Sequence, residues 1–350
     1  MPLLRTSHHR FWNFGQVFWL QLHITDRCNN RCAHCYLTEK RKDLDVSGID
    51  HILAAYAHFL TTQQLMGRLQ IAGGEPLLSP HLFYLLNEAA QRKIPVRILT
   101  NGLAVTPELA TALKGHGVDI VQVSVEGDEA AHDSVRGPGS YQKAKAACRM
   151  LTEAGIEVTI AATLHQGNKN ALQSMAWEFR SIARRIHGAR LVPIGEGEML
   201  KEHLLTGRQW RQMMGEAIKL ANRPELPELL CKDPTWAGLQ MSGRKARGIK
   251  TIEGCSAGYM GLCLDTDGTA FPCRRLPLKI GNIFHDDFEA LFNNPTMNRL
   301  RDRNNLTGKC GRCGLRWQCG GCRAMALAIK GDMMAADPQC PWPLWHRYPV

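Results

Sequence analysis

Eleven of the thirteen cysteines in this 350-residue chain fall into two spaced groups, and that grouping constrains its folding more than any other feature. Cys28, Cys32 and Cys35 stand together near the N-terminus. Cys255, Cys263, Cys273, Cys310, Cys313, Cys319, Cys322 and Cys340 occupy the C-terminal part. Only Cys148 and Cys231 stand alone, and both read as plain buried or surface thiols. Phe11–Ile24 is apolar but broken by Asn13, Gln16 and Gln21, and lacks the pattern of a cleavable signal. No apolar run reaches the roughly 18 residues that a membrane helix needs. The expected compartment is therefore the reducing cytoplasm, where clustered thiols hold metal or do catalysis more often than they pair.

The first group runs Thr25-Asp-Arg-Cys28-Asn-Asn-Arg-Cys32-Ala-His34-Cys35-Tyr36. Three thiolates this close can wrap one iron–sulfur cubane and leave one iron without a protein ligand. A zinc site with His34 as fourth ligand is the alternative. In the tail, Cys263 to Cys273 reads as a hairpin turning at Gly268. The pairs Cys310/Cys313 and Cys319/Cys322 have the two-residue gaps that zinc knuckles also use, so spacing leaves both metals open. Few long apolar runs occur there, and the segment is expected to fold around metal.

Between the groups, strand-like and helix-like segments alternate. Expected strands are Val17–Thr25, Arg68–Ala72, Val96–Leu99, Asp119–Val125, Ile156–Thr163 and Ala189–Pro193. Expected helices are Ile49–Leu60, Leu82–Gln91, Pro107–Leu113, Tyr141–Ala154, Ala171 to about Ile186, and Arg208–Ala221. Six β-α units in a row argue for an α/β fold with a parallel sheet and right-handed crossovers. Periodicity alone leaves an incomplete barrel and an open doubly wound sheet equally possible. Residues 1–222 form this unit, 223–250 read as a proline-marked linker or bridge, and 251–350 form the Cys-rich domain.

Further motifs follow the expected strands, at the sheet end where parallel folds build their sites. They are Gly73-Gly74-Glu75-Pro76, Thr100-Asn101-Gly102, Ser124-Val125-Glu126-Gly127 and His132-Asp-Ser-Val-Arg136-Gly137. With the cysteine triplet, they resemble the radical S-adenosylmethionine (SAM) superfamily. The tail resembles that family's SPASM extension, departing by one residue at Cys322. Two other positions depart: His34 stands where relatives often have an aromatic, and Glu126 where they often have Asp.

The resemblance implies a partial (β/α)6 barrel followed by a small SPASM domain. It implies SAM and three [4Fe-4S] clusters. Cys28, Cys32 and Cys35 would hold the SAM-binding cluster. Cys255, Cys263, Cys273 and Cys322 would hold the first auxiliary cluster, with Cys263 open to question, and Cys310, Cys313, Cys319 and Cys340 the second. Gly73, Gly74 and Glu75 would receive the amino end of SAM, Ser124 and Arg136 its methionyl group, and Asn101 would lie near the ribose. His34 and Tyr36 would pack near the adenine. The implied chemistry is reductive cleavage of SAM to a 5′-deoxyadenosyl radical that abstracts hydrogen from substrate.

The formal charge of +11 counts every thiol as neutral. Three cubanes held by the eleven thiolates would remove about five charges, leaving a mildly basic chain. That suits an acidic substrate. No Lys/Arg run exceeds three residues, so neither nucleic acid nor membrane is an expected partner. The resemblance puts a peptide first among substrates, for a crosslinking or epimerising maturase. With only 27 residues ahead of Cys28, leader recognition would fall to a separate leader-binding protein or to direct contact. A haem-precursor tetrapyrrole is the alternative, and a non-catalytic zinc or iron–sulfur protein is the reading from another class. A flavodoxin or ferredoxin would supply electrons.

Overall fold

The computed structural model describes residues 17–38, 41–241, 249–252 and 254–344. Residues 11–16 of the N-terminal segment read for a signal pattern, residues 242–248 of the expected bridge, and the thiol of Cys231 fall outside that description. Eight strands pair side by side in parallel and in chain order. They are β1 (Val17–His23), β2 (Met66–Ala72), β3 (Val96–Thr100), β4 (Ile120–Ser124), β5 (Glu157–Leu164), β6 (Arg185–Arg190), β7 (Glu228–Cys231) and β8 (Ile249–Ile252). On the other side of β1, β9 (Gly261–Leu264) pairs in parallel and carries the antiparallel β10 (Thr269–Phe271) and β11 (Gly281–Asn282). The result is one open sheet of eleven strands, a partial barrel with the tail's hairpin on one edge.

The crossovers are α1 (Val46–Gln63), α2 (Leu82–Gln91), α3 (Pro107–Gly115), α4 (Glu129–Arg136), α5 (Ser140–Glu153), α6 (Ala171–Glu178) and α7 (Gly207–Ala221). They cover one face only. Phe18, Leu20 and Leu22 of β1 enter the core beneath them, as do Leu69, Ile71, Ile98, Val121, Val123, Val158 and Ile160. A strand's side chains alternate between faces. Trp19, Gln21, Gln70, Arg97, Gln122, Ser124, Thr159 and His187 therefore share the inner face. That face is mostly polar, so the lumen is not a second dry core. Cys148 sits fully buried in α5.

Three expectations are corrected. The helix from Ala171 ends at Glu178, and Ile186 lies in β6. In Arg185–Arg190, alternate residues face the core, and Arg185 pairs with Glu157 and Glu228 on the neighbouring strands; this edge-to-edge pairing fixes a strand. The strand expected at Ala189–Pro193 accordingly starts at Arg185. The 223–250 segment is more than a bridge, because β7 and β8 extend the sheet. They are four residues each, too short to show a period, and β7 also sits among prolines. A short helix also went unread: α4 is polar overall, and the Asp128 side chain caps it by accepting from Ala131 N (2.9 Å).

The hairpin expected at Cys263–Cys273 is present. Gly268, at φ +80°, makes its turn. The tail packs around a small core of its own, with Leu276, Leu300, Leu306, Met325 and Met334 beside Cys255, Cys310 and Cys322. No described helix is long and apolar enough to cross a membrane.

Candidate active site at the strand ends

Cys28, Cys32 and Cys35 lie in the loop after β1, at the end of the sheet where the parallel strands finish. Cys35 N donates to Cys32 O (3.1 Å) and Ala33 N to Val135 O (2.9 Å), which ties the loop to the end of α4. Burial pushes the Cys32 thiol up to about 11, and the charge of Arg136 opposes this, its Nη1 being 3.6 Å from Cys32 Sγ. Iron binding would expel that proton, and a guanidinium beside the sulfur favours the thiolate.

The end of β2 lies flush against this loop. Gly74 N donates to Thr25 O and Glu75 N to Arg27 O, each at 2.7 Å. A Cβ on Gly73 or Gly74 would collide with the Thr25 or Arg27 backbone, and Gly73 also takes φ +147°. Only glycine satisfies both demands. Glu75 is fully buried and accepts from Thr100 Oγ1 (2.6 Å), Asn101 N (2.7 Å) and Leu77 N (3.2 Å). Burial raises its carboxyl to about 7 despite those donors. Its carboxylate thus braces the β3 end, and Oε2, with one described donor, keeps capacity for another.

Asn101 Nδ2 donates to Asn29 Oδ1 (2.8 Å) and stands 3.8 Å from Cys28 Sγ. Ser124 ends β4 on the inner face, half-buried. Glu126 is the hub on that side. It accepts from Arg136 Nε (2.9 Å) and Nη2 (2.6 Å) and from Thr163 N (2.7 Å), with His34 Nε2 at 3.1 Å. Burial alone would raise its pKa; Arg136 and His34 hold it well below the carboxylate range. So Glu126 organises Arg136 and His34, a part that the Gly-rich turn did not reveal.

His132 Nδ1 accepts from Glu126 N (3.3 Å) and stays neutral, with burial and then Arg136 lowering its pKa to about 4. The unfolded chain binds a proton near pH 6.5 and the fold resists one down to about 4. Stability should therefore fall as pH drops across that window, and His132→Asn should flatten the slope in urea titrations.

Tyr36 Oη lies 3.1 Å from His23 Nε2, and His23 Nδ1 lies 2.9 Å from Asp265. Cys263 joins this group, with Sγ 3.8 Å from His23 Nε2. Burial alone would lower the His23 pKa; Tyr36, Cys263 and Asp265 hold it well above its ordinary value.

The tail thiols divide. Cys310, Cys313, Cys319 and Cys340 line one cavity together with Gly321 and Asp337. Cys319 Sγ accepts from Gly321 N (3.3 Å) and Cys310 Sγ from Asp337 N (3.4 Å). Cys255 lies in the field of Cys322, and Arg275 in the fields of Cys322 and Cys273. Of the four thiols expected at the first auxiliary cluster, Cys263 alone lies outside the tail's core. The inner face of β9 carries it to His23 and Asp265. The donor chemistry fits iron–sulfur clusters, since soft thiols gather in threes and fours. Cations stand beside them: Arg136 by Cys32, Arg275 by Cys322, and Arg323 Nη2 3.8 Å from Cys310 Sγ.

Comparison with known proteins agrees. A profile of the Radical SAM superfamily matches residues 22–174, and one of the SPASM iron–sulfur cluster-binding domain matches 255–314. The chain is 30% identical to the AdoMet-dependent heme synthase of Methanosarcina barkeri, over 91% of this chain and 94% of that protein. It is 26% identical to the antilisterial bacteriocin subtilosin biosynthesis protein AlbA of Bacillus subtilis, over 89% of this chain and 71% of that protein. The solved structure of native anSMEcpe with bound AdoMet superposes with a TM-score of 0.71 at 15% identity, covering 92% and 94% of the two chains, and shares the fold. A thiol triplet on a glycine-edged sheet end, the thiol-lined tail and this whole-length likeness lead to one assignment: the chain belongs to the radical SAM superfamily, is an enzyme of that family, and carries a SPASM iron–sulfur domain.

Proposed function

We propose that this enzyme takes a hydrogen atom from a substrate held in the lumen beneath the strand ends. The observation that carries this is the convergence of Cys28, Cys32 and Cys35 with the Gly73–Glu75 edge, Asn101, Ser124 and Arg136 at one end of the sheet. When bound and reduced, the cluster and SAM supply a 5′-deoxyadenosyl radical as the hydrogen acceptor. The chain's part is to bind and orient. Gly73, Gly74 and Glu75 take the amino end of SAM, Arg136 and Ser124 its methionyl group, Asn101 the ribose side, and His34 and Tyr36 the adenine side. The polar inner face positions the substrate and the helices shield the sheet's other face.

We assign three cubanes. Cys310, Cys313, Cys319 and Cys340 hold one auxiliary cluster, and Cys255, Cys273 and Cys322 hold the other. With Cys263 turned to His23, three thiols would be left to hold that last cluster. Cys263→Ala should then leave iron per chain unchanged at about twelve, while Cys322→Ala lowers it. Equal losses in both variants would return Cys263 to the ligand set.

For the substrate we propose a tetrapyrrole bearing carboxylate side chains. The whole-length similarity to the M. barkeri heme synthase supports this reading over the peptide that sequence motifs alone put first. The peptide reading keeps support from the similarity to AlbA and to the mycofactocin maturase MftC of Mycobacterium tuberculosis, and brings with it a leader-binding partner. A flavodoxin or ferredoxin serves either reading as reductant. The test incubates anaerobically reconstituted protein with SAM and dithionite, and follows 5′-deoxyadenosine and substrate mass. A mass change in a tetrapyrrole carboxylic acid, and none in a precursor peptide encoded nearby, is the expected result. The reverse pattern would move the protein to the maturases.

A further inference from the structure

The inner face of the sheet carries cations that no acid in the lumen neutralises. Arg97 of β3 lies with Cζ 5.7 Å from the centre of the Trp19 ring. Its Nε is buried without a hydrogen-bond partner. Arg274, just after β10, donates from Nη1 to Gln21 Oε1 (3.2 Å) and stands in the field of Tyr36. Neither guanidinium has a carboxylate partner among the described residues. The acids of this face are already engaged: Glu75 by backbone and Thr100, Glu126 by Arg136, Asp265 by His23 and Arg41, and, where β5 and β7 begin, Glu157 and Glu228 by Arg185.

His187 of β6 marks the space between the two arginines. It is 6% exposed, its Nε2 is 2.9 Å from Gln122 Oε1, and its Nδ1 is buried without a partner. Burial first, and then Lys232, Arg274, Arg97 and Arg275, hold its pKa well below the ordinary value, so both guanidinium groups act on this one ring. The lumen thus gathers positive charge around an unsatisfied polar atom, and Arg97, Arg274, Trp19 and Gln21 remain only half-buried. Desolvating guanidinium groups without a counter-charge is costly, and a site that bears this cost is suited to an incoming anion.

We propose that Arg97 and Arg274 form a clamp for a substrate carboxylate inside the lumen, with Gln21, Gln122 and His187 lining it. The clamp deepens the functional reading above and rests on the substrate binding in the lumen. A carboxylate fits better than a phosphate. Phosphate sites draw on free backbone N–H groups at helix N-termini, and strand N–H groups here are spent in the ladder. Side-chain forks remain, and a guanidinium meets a carboxylate in two parallel hydrogen bonds. Arg274 also stands in the field of Tyr36, the residue after Cys35. A carboxylate held there hangs the rest of the substrate toward the cysteine loop.

The test measures binding, without turnover, by quenching of tryptophan fluorescence in cluster-loaded protein. The probes are coproporphyrin III with its four carboxylates, its tetramethyl ester, and a 15-residue peptide with a central glutamate paired with its glutamine twin. Arg97→Gln and Arg274→Gln should each raise the dissociation constant of the free-acid probe more than about tenfold, the effect of losing one charged hydrogen-bond pair. The ester, or the glutamine peptide, should bind wild type and variants alike. Arg-dependent binding of the porphyrin assigns the carboxylate to a tetrapyrrole, and Arg-dependent binding of the peptide assigns it to a peptide side chain. Unchanged affinity in both variants, or wild type binding no free acid above its neutral twin, overturns the clamp. Iron per chain and circular dichroism, measured on the same samples, expose a variant that has misfolded or, for Arg274 next to Cys273, one that has lost a cluster. Wild-type cleavage of SAM is assayed separately, so a failed clamp and a failed radical chemistry give different results.

Discussion

Replacing Cys32 by alanine should bring reductive cleavage of SAM down to background. Cys32 is the middle thiol of the only described triplet after β1, and Arg136 Nη1 sits 3.6 Å from its sulfur. With two thiolates left, the loop has too few ligands to hold a cubane against the surrounding water. Even removal of a residue that only supports a metal ligand costs about 10–100-fold in affinity or activity, and loss of the ligand itself should exceed that. Iron per chain should fall by about four, one cubane, while the auxiliary clusters stay loaded. The matched control is Cys148→Ala. That thiol is fully buried in α5, and burial raises it to about 12, so it is an inert filler of the helix layer. Its loss should leave iron and cleavage unchanged. Wild-type cleavage by the Cys32 variant would remove the first-cluster assignment and with it the radical mechanism.

The contrast between those two cysteines indicates what the sequence made legible. Chemistry that depends on residues close along the chain could be read directly. The triplet spans one loop, Gly73-Gly74-Glu75 one strand end, and His132 to Arg136 one helix, so local order already carried their geometry. The six β-α units were legible because a buried strand or amphipathic helix repeats its apolar residues at a fixed period. Relations across the sheet were not. His23 and Cys263 are 240 positions apart and meet only because β9 pairs beside β1. The family resemblance places Cys263 with Cys255, Cys273 and Cys322, whereas strand alternation turns it toward the lumen. In the sequence, Arg97 is one polar residue between Val96 and Ile98, and Arg274 one of two arginines after Cys273. Their common surroundings appear only when β3, β6 and the tail hairpin face one another. Glu126 was noted as a departure from Asp, yet its work of holding Arg136 and His34 depends on three separate segments.

Arg190 is the strongest case of such a hidden relation, and its replacement by methionine should be strongly destabilising. The side chain is buried at the end of β6, 1% exposed. Its fork meets Asp233 through Nε (2.8 Å) and Nη2 (3.1 Å), and Asp337 through Nη2 (2.8 Å) and Nη1 (3.1 Å). Asp337 accepts also from Cys322 N (2.9 Å) and its own N–H reaches Cys310 Sγ, so this one guanidinium joins the barrel to both tail thiol groups. Methionine fills similar space but leaves two buried carboxylates uncompensated, at a cost of about 3–5 kcal/mol. Urea denaturation should register that loss, and iron should leave the tail before the cysteine triplet. The pH dependence follows from Asp337. Burial alone would raise its carboxyl, and Arg190 holds it below the ordinary value. Its contribution is therefore present above the unfolded carboxylate pKa of about 3.9 and is lost as pH falls through the lower folded value. In Arg190→Met the buried Asp337 can protonate, so the gap between variant and wild type should be widest near neutrality and narrow toward pH 4. Adding Asp233→Asn and Asp337→Asn to the methionine variant removes the uncompensated charges and should restore most of the stability. If the triple variant is no more stable than Arg190→Met alone, lost packing and not stranded charge sets the cost.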